Sequence, residues 1–470
     1  MYKFTFMSVA LVLLHGVLSA DAPKPLTEQQ LATASKLAQQ ALKSNRGYEI
    51  VESLTTEVGH RMAGTENDAK GVQWAVNKFN ELGFDKVWTE PVTFPTWERG
   101  IEQAKVLSPF KHEIIITALG RSVGTAPEGL TAEIAQFDTL DDLVKAERGD
   151  VEGKIAFISK KMERYKDGHG YGQTVTARSR GAIEAAKKGA KAIIIRSVGT
   201  DSDRFAHTGN MRYEEGIEKI PGAAISNPDA DLLMNMLRRG KPITFHMNLG
   251  SGPGAEYTSY NVIGEVTGTK YPDEVVLLGA HLDSWDLGTG AVDDGAGVGI
   301  VMAAADVIKE HGPRPLRTVR VVLFANEEQG LYGGKAYAKE HKAVLQKHIV
   351  GAESDFGAGM IYKFSTKFKD EALPLADQIQ SVLGPLGVAK GHNVATGGPD
   401  LIHSRMEGMA VVNLSQDGTD YFDYHHTPND TLDKIDPESL TQNVAVYTAF
   451  AYLMASVEGD VGFFPPKDEK

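Results

Sequence analysis

The sequence has no cysteine. That absence excludes disulfide cross-links, a thiolate nucleophile and cysteine ligands for a metal, so a zinc site here would have to use nitrogen and oxygen groups. Positive charge is in deficit: 49 Lys+Arg stand against 62 Asp+Glu, a net charge of −13, and no long Lys/Arg run occurs. Nucleic acid is therefore not an expected partner, because phosphate binding needs a basic patch. Long apolar runs are missing too, with one exception. Phe4 to Leu18 is apolar, follows Lys3 and precedes the small residues Ser19, Ala20 and Ala22, which is the layout of a secretory signal peptide. It is shorter than the roughly 20 residues that a spanning helix needs. The expectation is cleavage after Ala20, export to the periplasm or beyond, and no stable membrane association.

What is present is ordinary for a folded enzyme. Of 470 residues, 42% are hydrophobic and 24% charged, enough to bury a core shared between two or three domains. Leu26 to Glu57 is helix-prone and amphipathic, as is Ala69 to Leu82, and "KVWTEPVTF" reads as a strand. From Ile101 to Gly250 the texture changes to short alternating segments around one helix, Ala177 to Gly189, as in a β-rich module inserted into another fold. Afterwards strands and helices alternate: strand Val275–Ala280, helix Asp294–His311, strand Thr318–Ala325, helix Leu331–His341, strand His348–Glu353. That order predicts an α/β fold with a doubly wound, mostly parallel sheet. There is no internal repeat and no low-complexity tract.

Ligands of such sheets gather beyond the carboxyl ends of the strands. The first strand runs into "GAHLDSWDLGTGAVDDGAGVG", which sets His281, Asp283, Asp286, Asp293 and Asp294 among glycines. The second ends in Asn326-Glu327-Glu328 and the third in Ser354-Asp355; "DYHHTPNDT", after the strand-like "MAVVNLS", adds His425 and His426. Each motif alone has an ordinary explanation, as a strand end, a solvated turn or, for Asp294, a helix N-cap. Their joint occurrence at successive strand ends does not, because crowded carboxylates repel one another and lose hydration unless a cation neutralises them. The donor types suit zinc. His425 competes with His426 here, and Glu353 with Asp355.

"GAHLDSWDLGTGAVDDGAG", "FANEEQGLYGG", "ESDFG" and "YHHTPNDTLDKIDP" resemble the catalytic motifs of the di-zinc exopeptidases of clan MH, and the form containing Trp285 resembles their carboxypeptidase branch. The segment with "EGKIAFISK" and "ARSRGAIEAAKKGAKAIII" resembles the protease-associated domain that many such enzymes carry. The resemblance implies a zinc exopeptidase fold at 21–104 and 250–470 with an inserted protease-associated domain at 105–249. It implies two zinc ions on His281, Asp293, Glu328, Asp355 and His426, bridged by Asp293. Glu327 would be the general base and acid, and Asp283 would hold the His281 ring. The implied substrates are small peptides, chiefly dipeptides with an unblocked N-terminus; a broad aminopeptidase is the runner-up, and a metal-free binding protein of the same fold is a third reading that the complete ligand set disfavours. A homodimer is the implied assembly. The loop Gly397–Gly408 is the candidate substrate pocket, with Asp400, His425 and Tyr421 as its named residues, and the inserted module is expected to shape access without supplying any metal or base residue.

Overall fold

The computed structural model describes residues 22–465; the expected signal peptide lies outside the described residues. Two eight-stranded sheets carry the fold. In the first, the order is Lys86–Glu98, Gly252–Val266, Arg317–Phe324, Tyr271–His281, His348–Glu353, Val411–Gln416, Ile361–Lys367 and Ala389–Lys390. The four central strands, from Arg317–Phe324 to Val411–Gln416, run parallel. Val275 to His281 are buried without alternation, the pattern of a strand covered by helices on both faces. Antiparallel pairs join on both flanks, so the sheet is mixed around its parallel centre. The cause is visible in Lys86–Glu98, whose exposed and partly buried residues fit an outer strand with one solvated face.

The chain leaves this sheet at Glu98 and returns at Gly252, and those two residues are register partners. Between them it builds the second sheet, which includes the parallel neighbours Leu130–Phe137, Ile155–Ile158, Ala192–Arg196 and Gly222–Ile225. The expected β-rich character is corrected here. Ile155–Ile158 and Ala192–Arg196 are buried at every position, and the helices Thr176–Lys187 and Asn227–Leu237 belong to the same segment, so it is a second mixed α/β layer.

Leu26 to Glu57 divides into Glu28–Ala41, started by a capping box on Thr27, and Arg46–Glu57. The helix Ala296–His311 is buried from Ala296 through Ile308. Gly299 permits its approach to Arg46–Glu57: a Cβ there would sit 2.6 Å from the Gly47 carbonyl oxygen. This helix begins two residues later than its sequence predicts. Ala291–Gly295 form a wider turn in which Asp293 (φ −125°, ψ 92°) and Asp294 (φ −127°, ψ 36°) leave helical geometry.

Candidate metal centre and catalytic cleft

The parallel register sets His281 beside Phe324, and Gly279 beside Glu353. The carboxyl ends of these strands therefore open on one edge, and the predicted residues meet there. His281 Nε2 lies 3.1 Å from Asp293 Oδ1 and 3.5 Å from Asp355 Oδ1. His426 Nε2 lies 3.3 Å from Asp293 Oδ2 and 3.0 Å from Glu328 Oε2. Asp293 thus turns one oxygen to each of two histidine-carboxylate groups. All five side chains are buried or nearly so, and Glu328 Oε1 has no hydrogen-bond partner. A buried, unpartnered carboxylate oxygen beside three more acidic groups is a costly arrangement that a divalent cation relieves, and the all-nitrogen-and-oxygen donor set fits zinc.

His425 stacks on His426, with ring centroids 3.5 Å apart, and its Nε2 is 3.6 Å from Asp293 Oδ2. His426 is nearer to Asp293 and alone reaches Glu328. Its backbone sits at φ 62°, a left-handed conformation that costs energy for a non-glycine residue and orients the ring. Glu353 does not compete with Asp355 for the same place: its carboxylate accepts the main-chain N–H of Asp400 at 3.0 Å and of Leu401 at 3.3 Å.

The electrostatics follow from burial. Glu327 and Glu328 are pushed well above the usual carboxylate range by burial, with neighbouring carboxylates adding to the effect. Burial also raises Asp355. Burial opposes ionisation of Asp293 as well, but hydrogen bonds to His281 and His426 overcome it and hold this carboxyl well below the usual range.

Asp283 works in two directions. Its main-chain carbonyl is 2.9 Å from His281 Nδ1, with the carboxylate 3.6 Å from the same atom. The carboxylate itself accepts the N–H groups of Glu327 and Glu328. Asp294 accepts the N–H of His281 and of Gly297, each at 3.1 Å, tying the strand end to the helix start. Asp286 stands apart, in an ion pair with Arg99 at 2.6 Å.

A cleft of about 340 Å³ opens on this group. Asp293, Glu327, Glu328, Asp355, His425 and His426 form one side, with Phe356, Pro399, Tyr421 and Phe422 around them. Of the three residues named for the substrate pocket, Tyr421 and His425 line the cleft. Asp400 does not, and this expectation is corrected: it is fully buried, its N–H bound to Glu353 and its Oδ1 accepting from Gly334 N at 3.2 Å. Its role is to hold the loop that presents Pro399.

Several contributors escaped the sequence reading. Arg61 is fully buried and donates to the carbonyls of Gly59, Leu282, Thr289 and Gly290 at 2.7–2.9 Å, bracing the glycine-rich loop; burial lowers its guanidinium to about 10. Asp430 accepts the N–H groups of Val292 (2.6 Å) and Asp293 (3.2 Å). From the segment between Glu98 and Gly252, Tyr171, Arg178 and Asn210 line the cleft, and Asn210 Nδ2 donates to the Glu328 carbonyl at 2.8 Å. The only sequence signal for Arg61 is a lone arginine in "GHRMAG". For the segment's residues there is none, because their approach depends on how two sheets pack.

Comparison with known proteins agrees with this geometry. Residues 261–451 match the description "Peptidase family M28". Carboxypeptidase Q of Rattus norvegicus is 38% identical over 414 residues, 88% of this chain and 86% of that protein. Carboxypeptidase Q of Homo sapiens is 36% identical over 416 residues, with the same shares. A crystal structure of a peptidase M28 precursor from Shewanella amazonensis SB2B superimposes with a TM-score of 0.92 at 57% identity, covering 94% of this chain and all of that one. With the strand-end residues of a metal centre gathered on one edge, and likeness extending over most of the chain, the protein belongs to peptidase family M28.

Proposed function

We propose that this M28 metallo-exopeptidase binds two zinc ions on His281, Asp293, Glu328, Asp355 and His426 and hydrolyses small peptides, chiefly dipeptides with a free N-terminus. The observation that carries the reading is the Asp293 carboxylate, one oxygen toward His281 and Asp355 and the other toward His426 and Glu328. That is the placement a bridging ligand requires. The carboxypeptidase direction rests on likeness to proteins named carboxypeptidase Q over 88% of the chain.

When bound, zinc supplies Lewis-acid polarisation of the scissile carbonyl and a lowered pKa for the attacking water. The remaining work falls to side chains. Glu327 lines the cleft on the same turn as Glu328, so it takes the proton of the attacking water and returns it to the leaving amine. Asp283 fixes the turn that carries both glutamates and, through its carbonyl, the His281 ring. Phe356, Tyr421 and Phe422 line the cleft beside these groups.

We also read the 105–249 segment as an inserted protease-associated domain, supported by the paired exit and return at Glu98 and Gly252. Export is proposed from the Lys3 and Phe4–Leu18 pattern; among the described residues no helix is long and apolar enough to cross a membrane. The test of specificity is to compare free dipeptides, N-acetylated dipeptides and dipeptide amides with the zinc-loaded protein. Cleavage of the free dipeptide with rejection of the other two supports the proposal. Equal cleavage of the amide assigns an aminopeptidase instead.

A further inference from the structure

The left-handed backbone of His426, at φ 62°, is one that a non-glycine residue keeps only where its surroundings hold it. The groups that hold it come from the segment between Glu98 and Gly252, where His207 and Thr208 meet it at three successive points. His207 Nδ1 lies 2.8 Å from the His425 carbonyl oxygen, which fixes the peptide plane entering His426. The Thr208 N–H donates to the His426 carbonyl at 3.1 Å, which fixes the plane leaving it. The Thr208 carbonyl lies 3.3 Å from His426 Nδ1. A carbonyl can only accept, so this contact places hydrogen on Nδ1 and leaves Nε2, the atom facing Asp293 and Glu328, with its lone pair free for a metal.

His207 is itself anchored. Its ring is buried, and Nε2 meets Asp201 Oδ1 at 2.5 Å. Asp201 is as deeply buried and also accepts from Asn227 Nδ2 at 3.2 Å. The main-chain N–H of His207 donates to Ser197 Oγ at 2.9 Å. Gly199 packs directly on the ring, where a Cβ would come within 2.2 Å of His207 Cε1. A buried imidazole with both nitrogens engaged cannot turn without leaving a polar atom unpaired, so its donor stays aimed at the one carbonyl. Neither His207 nor Asp201 lines the cleft, and the mechanism above gives neither a task.

We propose that His207, held by Asp201, is a positioning residue of the metal centre, so that the segment between Glu98 and Gly252 sets the backbone and the tautomer of one metal ligand. Metal binding on the His426 and Glu328 side then depends on how this segment is seated. The His281 and Asp355 side, carried by strand ends of the first sheet, does not. This inference rests on the zinc-ligand reading above.

The test titrates zinc into the full-length apoprotein of the wild type and of variants that separate the two ring nitrogens. In His207→Gln the amide nitrogen takes the place of Nε2, keeping the Asp201 contact and losing the His425 contact; in His207→Asn it takes the place of Nδ1 and does the reverse. His207→Gln should weaken one ion by about 10- to 100-fold, the usual cost of losing support behind a ligand, and leave the other unchanged, with kcat recovering in excess zinc and KM unaltered. His207→Asn should keep most of the affinity. Asp201→Asn, which keeps the shape and loosens the hold on the ring, should weaken the same ion more mildly, and it serves if a His207 variant does not fold. The ion affected should be the one lost in His426→Ala. Wild-type affinity for both ions in His207→Gln and Asp201→Asn overturns the proposal, and equal losses in His207→Gln and His207→Asn overturn it in favour of packing alone. A His426→Ala protein that binds zinc like the wild type overturns the ligand assignment, and this inference with it.

Discussion

Asp283 Oδ1 accepts the main-chain N–H of Glu327 at 2.9 Å. The second oxygen of the same carboxylate lies 3.3 Å from the N–H of Glu328. One acidic side chain thus sets the backbone of two adjacent glutamates whose proposed tasks differ.

Asp283→Asn therefore disturbs both tasks. An amide has one accepting oxygen and cannot take both N–H groups. Zinc affinity should fall by about 10- to 100-fold, the usual cost of losing support behind a ligand, and kcat should fall with it even at saturating zinc. Titration of the apoprotein with zinc, followed by kinetics in excess metal, separates the two effects. A variant with unchanged zinc affinity would contradict the assignment.

Asp293→Asn tests the bridge. Its two oxygens face different histidines, and an amide supplies one neutral carbonyl oxygen in place of two charged ones. Activity should be abolished and bound zinc reduced. Metal analysis showing two tightly held ions in this variant would contradict the bridging role.

Asp68 gives a pH dependence away from the metal group. Burial raises its carboxyl from 3.8 to about 6, against hydrogen bonds from Gly64 and Ser259 that favour the ionised form. The folded protein keeps this proton to higher pH than the unfolded chain, so the contribution is fully present below pH ~4 and is lost as pH rises through ~6. A rise from 3.8 to about 6 corresponds to ~3 kcal/mol. In Asp68→Asn, which has no proton to lose, chemical denaturation between pH 4 and 7 should show a flatter fall in stability than in the wild type. Parallel curves would refute the shift.

The central strands were legible because their chemistry is local. Val275 to Leu278 form an unbroken apolar run, and His348–Glu353 is found at its predicted limits. Strand-end placement pointed to one edge of the sheet but left His425 beside His426 and Glu353 beside Asp355; the set His281, Asp293, Glu328, Asp355 and His426 came from the resemblance to clan MH motifs, and the structure brings these five side chains together. The start of the helix at Ala296 was not legible: Asp294 resembles an N-cap by sequence, yet the turn Ala291–Gly295 must swing Asp293 toward two histidines. Asp400 misled because a polar residue in a glycine-rich loop looks exposed, whereas Glu353 draws its N–H into the interior. Arg178 and Arg61 were invisible for a different reason. Their partners are backbone carbonyls and a cleft, neither of which leaves a pattern in the sequence.

The central claim is that Glu327 moves the proton and Glu328 holds metal, and paired substitutions test it directly. Glu327→Gln keeps shape and hydrogen bonding but cannot accept a proton, so it should retain zinc, still bind dipeptides, and lose at least ~10²-fold in kcat. Glu328→Gln should weaken zinc first. Zinc content and kcat measured for both variants decide between the two assignments: metal kept and turnover lost in Glu327→Gln is the predicted result, whereas a Glu327→Gln protein that loses metal and regains activity in excess zinc would contradict it.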